Sequence, residues 1–507
     1  MRPRHLSLTV LGLVVALALA AGASAAPSKP PKKQGSGSEH VQPPVETGAG
    51  SLEQLPGRLG CLAQGKASIK LCGRARVLKG AGPGVGSRAV AVSPDGRNVY
   101  VAAAKSNAIA VFVRDRKTGA LTQPRGKAGC VAAKAAEGCA PALGLLGPDS
   151  VALSPDGRNV YATSSDSSSL ATFLRNPRTG ALRELPPAAS GCISGVPLPG
   201  CTPARGMSRP DVVVVSPDGK NVYVGDFAGA GVTSFSRGGI AGALTQLPGT
   251  AGCITEAALE GCAPGREMNH VEGMAIGASG SAVYAAAAFS GAIDFLQRDP
   301  STGALTQGAG TAGCIAAAPI GGCAPGYEFA GVNALAVAPA GGDVYATART
   351  SNSLTTFHPL LGGVGISQPP GPEQKAEKEK GPGTEMVPAP AGTPSPNGCT
   401  VFLRSAGCGF GVAMAAPEGL AVSPDGSSVY VASFQTGAID VFDRNVESGV
   451  VTQKPGPRGC VAPQKVHGCT LGRALTGAGS VVVSPDGRNV YSTAFGNSAV
   501  DVFRRIE

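Results

Sequence analysis

Six side chains able to do charge or coordination chemistry recur at one position of a repeated pattern. Arg88, Asp149, Asp211, Glu272, Asn333 and Glu418 each stand five residues ahead of a turn whose consensus is Ser-Pro-Asp-Gly. Gly479 is the seventh member of the column. Carboxylates and a carboxamide are hard oxygen donors of the kind that calcium and magnesium prefer, so Asp149, Asp211, Glu272, Asn333 and Glu418 form a candidate metal set. Like charges held close also raise carboxylate pKa values. A carboxylate that activates water, directly or through a metal, performs hydrolysis. On that reading Glu272, His270 two residues before it, and Arg88 are the candidate catalytic groups. The plainer alternative is that each side chain caps a backbone group or pairs with Arg88 across ordered water.

The turn that follows the column explains why these residues share a place. Ser-Pro-Asp-Gly stands at Ser93, Ser154, Ser216, Ser423 and Ser484, and worn copies begin at Gly277 and Ala338, so seven units step along the chain by 61, 62, 61, 61, 85 and 61 residues. A fixed period of this size marks a repeat architecture. Before the turn, Ala89-Val90-Ala91-Val92 is apolar throughout, as a strand packed on both faces must be. Pro94 presets the turn, and Gly96 can take the left-handed conformation that reverses the chain. Asn98 to Ala103, Ala108 to Arg114 and Ala120 to Gln123 follow as further strands. Four antiparallel strands make a propeller blade, and the fold expected is an all-β, seven-bladed propeller.

Aromatic residues keep the register. Tyr100, Tyr161, Tyr223, Tyr284, Tyr345, Tyr430 and Tyr491 fall in the second strands, and Phe112, Phe173, Phe235, Phe295, Phe357, Phe442 and Phe503 in the third. All are read as packing residues. The chain stops at the third strand of its last blade, while Ser51 to Gly57 leads into Cys61 as Ala243 to Gly249 leads into Cys253. The N-terminal segment is therefore expected to supply the outer strand of the last blade and close the ring. Innermost strands surround the central channel of a propeller, so the column of candidate residues should converge on one mouth of it. The cysteine loops are expected on that same face, with the Ser-Pro-Asp-Gly turns opposite.

Fourteen cysteines form seven close pairs: Cys61 with Cys72, Cys130 with Cys139, Cys192 with Cys201, Cys253 with Cys262, Cys314 with Cys323, Cys399 with Cys408, and Cys460 with Cys469. An even, regularly spaced set in an exported chain reads as disulfides. Export is expected from the first residues: Arg2 and Arg4, an apolar run from Leu6 to Ala20 and Ala23-Ser24-Ala25 make residues 1–26 a signal peptide. Residues 27–50 read as a disordered tether, 51–507 as the propeller, and the Pro-, Gly-, Glu- and Lys-rich stretch 369–397 as a disordered insertion. No later segment has the run of apolar residues that a membrane span needs. The expected product is a secreted monomer without a transmembrane segment.

The net charge of +10 is partly carried by the signal and tether, and no dense basic run follows. Nucleic acid is thereby not an expected partner. The chain has no Gly-x-Ser-x-Gly elbow, and Gly308 to Gly313, its one Gly-x-Gly-x-x-Gly, lies in a cysteine loop rather than between strand and helix. His358 and His467 are given no role.

Ser-Pro-Asp-Gly-x-Asn-Val-Tyr-Val, Val-Phe-x-Arg-Asp and Thr-Gly-Ala-Leu-Thr together resemble the secreted YVTN-type propellers and the lactonase family of seven-bladed propellers, over Ser51 to Glu507. That family includes 6-phosphogluconolactonases, so the resemblance implies hydrolysis of a sugar lactone. Its members commonly carry an Arg-His pair where an innermost strand begins, and here only Arg88 corresponds. Two functions follow as expectations. One is a binding module for a protein or small molecule, using the cysteine-loop face and the acidic channel mouth. The other is a lactonase-like hydrolase of lactones or related esters, with Ca2+ or Mg2+ as the candidate cofactor.

Overall fold

The computed structural model describes residues 48–507 apart from 66–69, 83–87, 135–136, 240, 361–364, 370–397, 403–407, 465 and 467. The signal sequence, most of the tether, nearly all of the insertion and His467 lie outside the described residues. The chain forms seven sheets in a ring, and each is built outward from the channel. In blade two the innermost strand is Pro148–Leu153, followed by Asn159–Ser164 and Ser169–Arg175, all antiparallel. The turn between the first two strands holds itself: Asn159 N–H donates to Ser154 Oγ (3.0 Å), Ser154 Oγ–H to Asp156 Oδ1 (2.6 Å), and Gly157 N–H to the Ser154 carbonyl (2.8 Å). Gly157 takes φ = 67°, the left-handed region that glycine enters without cost.

The fourth strand departs from the simple expectation. Leu182–Glu184 pairs with the far half of the third strand and Cys192–Ser194 with its near half. A 3-10 turn, Pro187–Ala189, separates the two pieces. Beyond the disulfide, Thr202–Pro203 lies parallel to Ile193–Ser194. The bridge folds the chain back, so that the residues after its second cysteine run beside those after its first. Every blade is thus a six-stranded sheet rather than four plain antiparallel strands.

All seven expected disulfides are present, each closed within its own repeat. Cys61 bonds Cys72, Cys130 bonds Cys139, Cys192 bonds Cys201, and Cys253 bonds Cys262. Cys314 bonds Cys323, Cys399 bonds Cys408, and Cys460 bonds Cys469. The first cysteine of each pair opens an outer antiparallel strand, and the second immediately precedes the short parallel strand that ends the sheet. The loops fall on the expected face: Ser194 pairs with Ser169, which pairs with Ser164 opposite Pro148, so each loop leaves its outer strand at the level where the innermost strand begins. Within that face they stand at the rim of the ring, since they lie on the strands farthest from the channel.

Ring closure follows the expectation. Leu52–Gln54 pairs with Phe503–Arg505, and Cys61–Ala63 pairs with Ala499–Asp501. Gly50, at the end of the expected tether, is held too: its carbonyl accepts from Tyr430 Oη–H at 2.8 Å.

Blades are locked by a recurring clamp. Arg298, at the end of a third strand, donates through Nε to Tyr223 Oη of the preceding blade (2.9 Å) and through Nη2 to Asp218 (2.7 Å) and Asn221 (2.6 Å). Arg114, Arg175, Arg237, Arg444 and Arg505 repeat the arrangement with variations at the acceptors. The interface between blades four and five lacks it, because Pro359 stands where the arginine belongs. Phe295 also departs from its expected place. Leu296, opposite Val283, fills the position that Phe112 fills opposite Val99, while Phe295 pairs with Tyr284 and meets it edge-on at 6.2 Å. An apolar cluster spanning Tyr284, Phe295, Phe329 and Phe357 thus joins the two blades.

Candidate functional site

The column of candidate residues coincides with a defect in the sheets. The innermost strands shift register between Pro148 and Ser150, Pro210 and Val212, Val271 and Gly273, Val332 and Ala334, and Pro417 and Gly419. The residues skipped are Asp149, Asp211, Glu272, Asn333 and Glu418. A bulge leaves its extra residue outside the ladder and re-aims the side chain, which brings these groups toward one another at the start of the innermost strands.

An arginine that the sequence reading missed organises them. Arg349 Nη2 donates to both Glu272 oxygens (2.7 and 2.6 Å), and its Nη1 lies 3.7 Å from Glu418 Oε1. Asn333 Nδ2 donates to Glu418 Oε2 (3.0 Å) and to the Pro417 carbonyl (2.9 Å), while its Oδ1 accepts from Thr347 (3.0 Å). The five proposed ligands therefore do not fit an oxygen cage for a divalent cation. A guanidinium already bridges Glu272 and Glu418, and Asn333 turns its nitrogen, not its oxygen, toward Glu418.

The other two carboxylates are less provided for. Asp149 is 6% exposed and accepts from Ser165 N–H at 2.9 Å. Burial pushes its pKa up to about 7, against the hydrogen bonds from Ser165. Asp211 is equally buried, and its Oδ2 has no hydrogen-bond partner. Burial first, then the charges of Asp149 and Glu272, hold its carboxyl well above the usual range, with Arg349 opposing. Glu272 is also raised by burial despite Arg349.

His270 is held differently from an exposed base. Its ring lies between Phe227 (centroids 3.8 Å apart) and Phe289 (3.5 Å, stacked), its φ is 61°, and its Nδ1 is buried without a partner. Burial and the charges of Arg209 and Arg349 depress its pKa. Arg209 sits over Phe227 at 4.9 Å, and Phe289 is 67% exposed. Arg88, the third catalytic candidate, crosses the channel to donate from Nη2 to the Leu335 carbonyl at 3.0 Å. No hydrogen bond joins Glu272, His270 and Arg88 among the described residues. Phe227, Phe289 and Arg349 escaped the sequence reading, although each follows a second-strand tyrosine by four or five residues. That spacing puts them in the loops between second and third strands, at the end of each blade where the innermost strand begins.

Fold and site together define a seven-bladed β-propeller with an acid-floored, partly aromatic channel mouth. No protein-family model matches the chain, and neither does any curated protein. Solved structures share its fold. A proposed 6-phosphogluconolactonase from Bacteroides uniformis is 16% identical, with a TM-score of 0.48 over 79% of this chain and 88% of that one. The periplasmic gluconolactonase of Pseudomonas aeruginosa is 17% identical, with a TM-score of 0.45 over 72% and 82%. Hydrazine synthase from Kuenenia stuttgartiensis is 15% identical, with a TM-score of 0.49 over 84% and 97%. The likeness in each case is one of fold. No helix among the described residues is long and apolar enough to cross a membrane, and seven disulfides suit an oxidising, extracellular setting.

Proposed function

We propose that the protein is a secreted binding propeller that takes a hydroxyl-rich small molecule at its channel mouth. The observation that carries this reading is Asp211: a buried carboxyl oxygen with no hydrogen-bond partner, beside a second poorly satisfied carboxyl, Asp149. Buried polar groups are ordinarily paired, and a ligand hydroxyl would supply the missing partner. The stack of Phe227, His270 and Phe289 offers an apolar wall to the same ligand, the service that aromatic faces give to sugar rings.

Isothermal titration of the disulfide-intact protein with gluconolactone, gluconate and glucose tests the reading. Saturable binding that Asp211→Asn weakens by about tenfold, the cost of a misplaced buried hydrogen bond, supports it. Flat titrations with all three compounds, or an unchanged Kd in the variant, refute it. One observation favours hydrolysis as a second reading: burial pushes Asp149, beside Asp211, up to about 7, the range in which a carboxyl exchanges protons near neutral pH. Acid release from the lactone that falls in both Asp149→Asn and Asp211→Asn would make the protein a lactone hydrolase.

A further inference from the structure

Below the mouth the channel changes character. Val90 to Val92 and the matching residues of the other six innermost strands include no polar side chain. The level nearest the hairpin turns carries a branched aliphatic residue in every blade, such as Val92, Leu153, Val215 and Ile276, and most of these are partly exposed to the channel. Above it runs a level of alanines and valines, among them Ala91, Ala152 and Ala336. The cavity they line measures about 450 Å³. Four residue steps of strand give it a depth of roughly 13 Å.

One charge reaches into this apolar shaft. Arg88 extends from blade one to the Leu335 carbonyl in blade five, the single hydrogen bond of its guanidinium among the described residues. It forms no ion pair among the described residues, and burial alone acts on its pKa, downward. A guanidinium carries five donors in a fork suited to a carboxylate. Arg88 is exposed to the channel, so its remaining donors are met by water, and that water is what a ligand carboxylate would displace.

We propose that the shaft is a second binding site, for an unbranched aliphatic carboxylate whose head pairs with Arg88 and whose tail lies against the aliphatic levels. The guanidinium selects the head, and the aliphatic side chains of the three residues before each turn select the tail. The site adjoins the mouth, because Glu418, beside Arg349, lines the same cavity as Arg88, but it uses Arg88 and the levels below it, and the proposal does not rest on the function proposed above.

The test is a calorimetric titration of the disulfide-intact protein with acetate, hexanoate, octanoate, decanoate and decan-1-ol, below micelle-forming concentrations. Affinity should rise by about fourfold per added methylene until the shaft is full, and decan-1-ol should bind at least about tenfold more weakly than decanoate. Arg88→Leu should erase the preference for the carboxylate. Ala336→Phe should abolish binding of both long-chain ligands, and Ala152→Phe repeats that block if the first variant does not fold. Asp211→Asn should leave decanoate binding intact, which separates this site from the mouth. The proposal is overturned if decanoate does not bind, if acetate binds as well, or if a folded shaft-filling variant binds decanoate unchanged. Arg88 would then be only a strut across the channel to Leu335.

Discussion

Glu184→Gln should stabilise the protein, and should do so only above the pH at which a free glutamate ionises. Glu184 occupies in blade two the place held by Gln54, Gln123, Gln246, Gln307, Gln368 and Gln453 in the others. Each of those glutamines accepts a backbone N–H from the segment crossing over from the preceding blade and returns Nε2–H to the carbonyl of the same residue, as Gln246 does with Arg205 (3.0 and 2.9 Å). Glu184 accepts Leu143 N–H through both oxygens (3.0 and 2.9 Å) and, once ionised, has no donor to return. Burial pushes its pKa up to about 7 from 4.5, against the hydrogen bond from Leu143. A shift of that size is worth at most about 3 kcal/mol, and the half-exposed position reduces it through solvent screening to about 1–2 kcal/mol. The sign follows from linkage. A carboxyl whose folded pKa lies above its unfolded value costs nothing at pH 4, costs progressively more as pH rises through about 7, and costs its full amount at pH 8 and above. Thermal unfolding of the two proteins from pH 4 to pH 9 should therefore give coincident midpoints at the acid end and a gain of about 2 °C for the variant at the alkaline end. A gain independent of pH, or a loss at pH 8, would refute the reasoning.

Three further perturbations follow from the same contacts. Arg298→Leu strips Tyr223, Asp218 and Asn221 of their shared donor and should cost about 3 kcal/mol in urea denaturation, whereas Pro359→Ala, at the interface without a clamp, should cost less than about 1 kcal/mol. Asp501 is fully buried with one oxygen unpartnered, and burial holds its carboxyl well above the usual range. Wild-type stability should therefore fall as pH rises above 4, and Asp501→Asn should recover on the order of 1 kcal/mol at pH 8 but not at pH 4. Millimolar calcium should leave the wild-type midpoint unchanged, because Arg349 already bridges Glu272 and Glu418. Arg349→Ala frees both carboxylates, and a calcium-dependent, EDTA-reversible rise in the midpoint should appear only in that variant.

The architecture was legible in the residues because its determinants are local and repeated. Gly157 and its counterparts reverse the chain within four residues, each cysteine finds a partner nine to eleven residues away, and Leu52–Gln54 declares itself an outer strand by its likeness to the segment before Cys253. The column of charged residues was likewise visible, because strand position repeats with the unit. Its chemistry was not. A bulge decides where Asp149 and Asp211 point, and bulges arise from pairing between strands rather than from the residue itself. The slip of Phe295 out of its column, by contrast, is written in the spacing: it follows its tyrosine by 11 residues where the other six phenylalanines follow theirs by 12, which sets it opposite Tyr284. Arg349 reaches Glu272 across 77 residues of sequence, and Arg88 reaches Leu335 across 247. By itself the sequence determined the ring, its closure and its disulfides, since each depends on short-range spacing. The tertiary structure alone decided which charges at the channel are paired and which keep an unpartnered oxygen, because neutralisation depends on distances between side chains that only closure of the ring brings together.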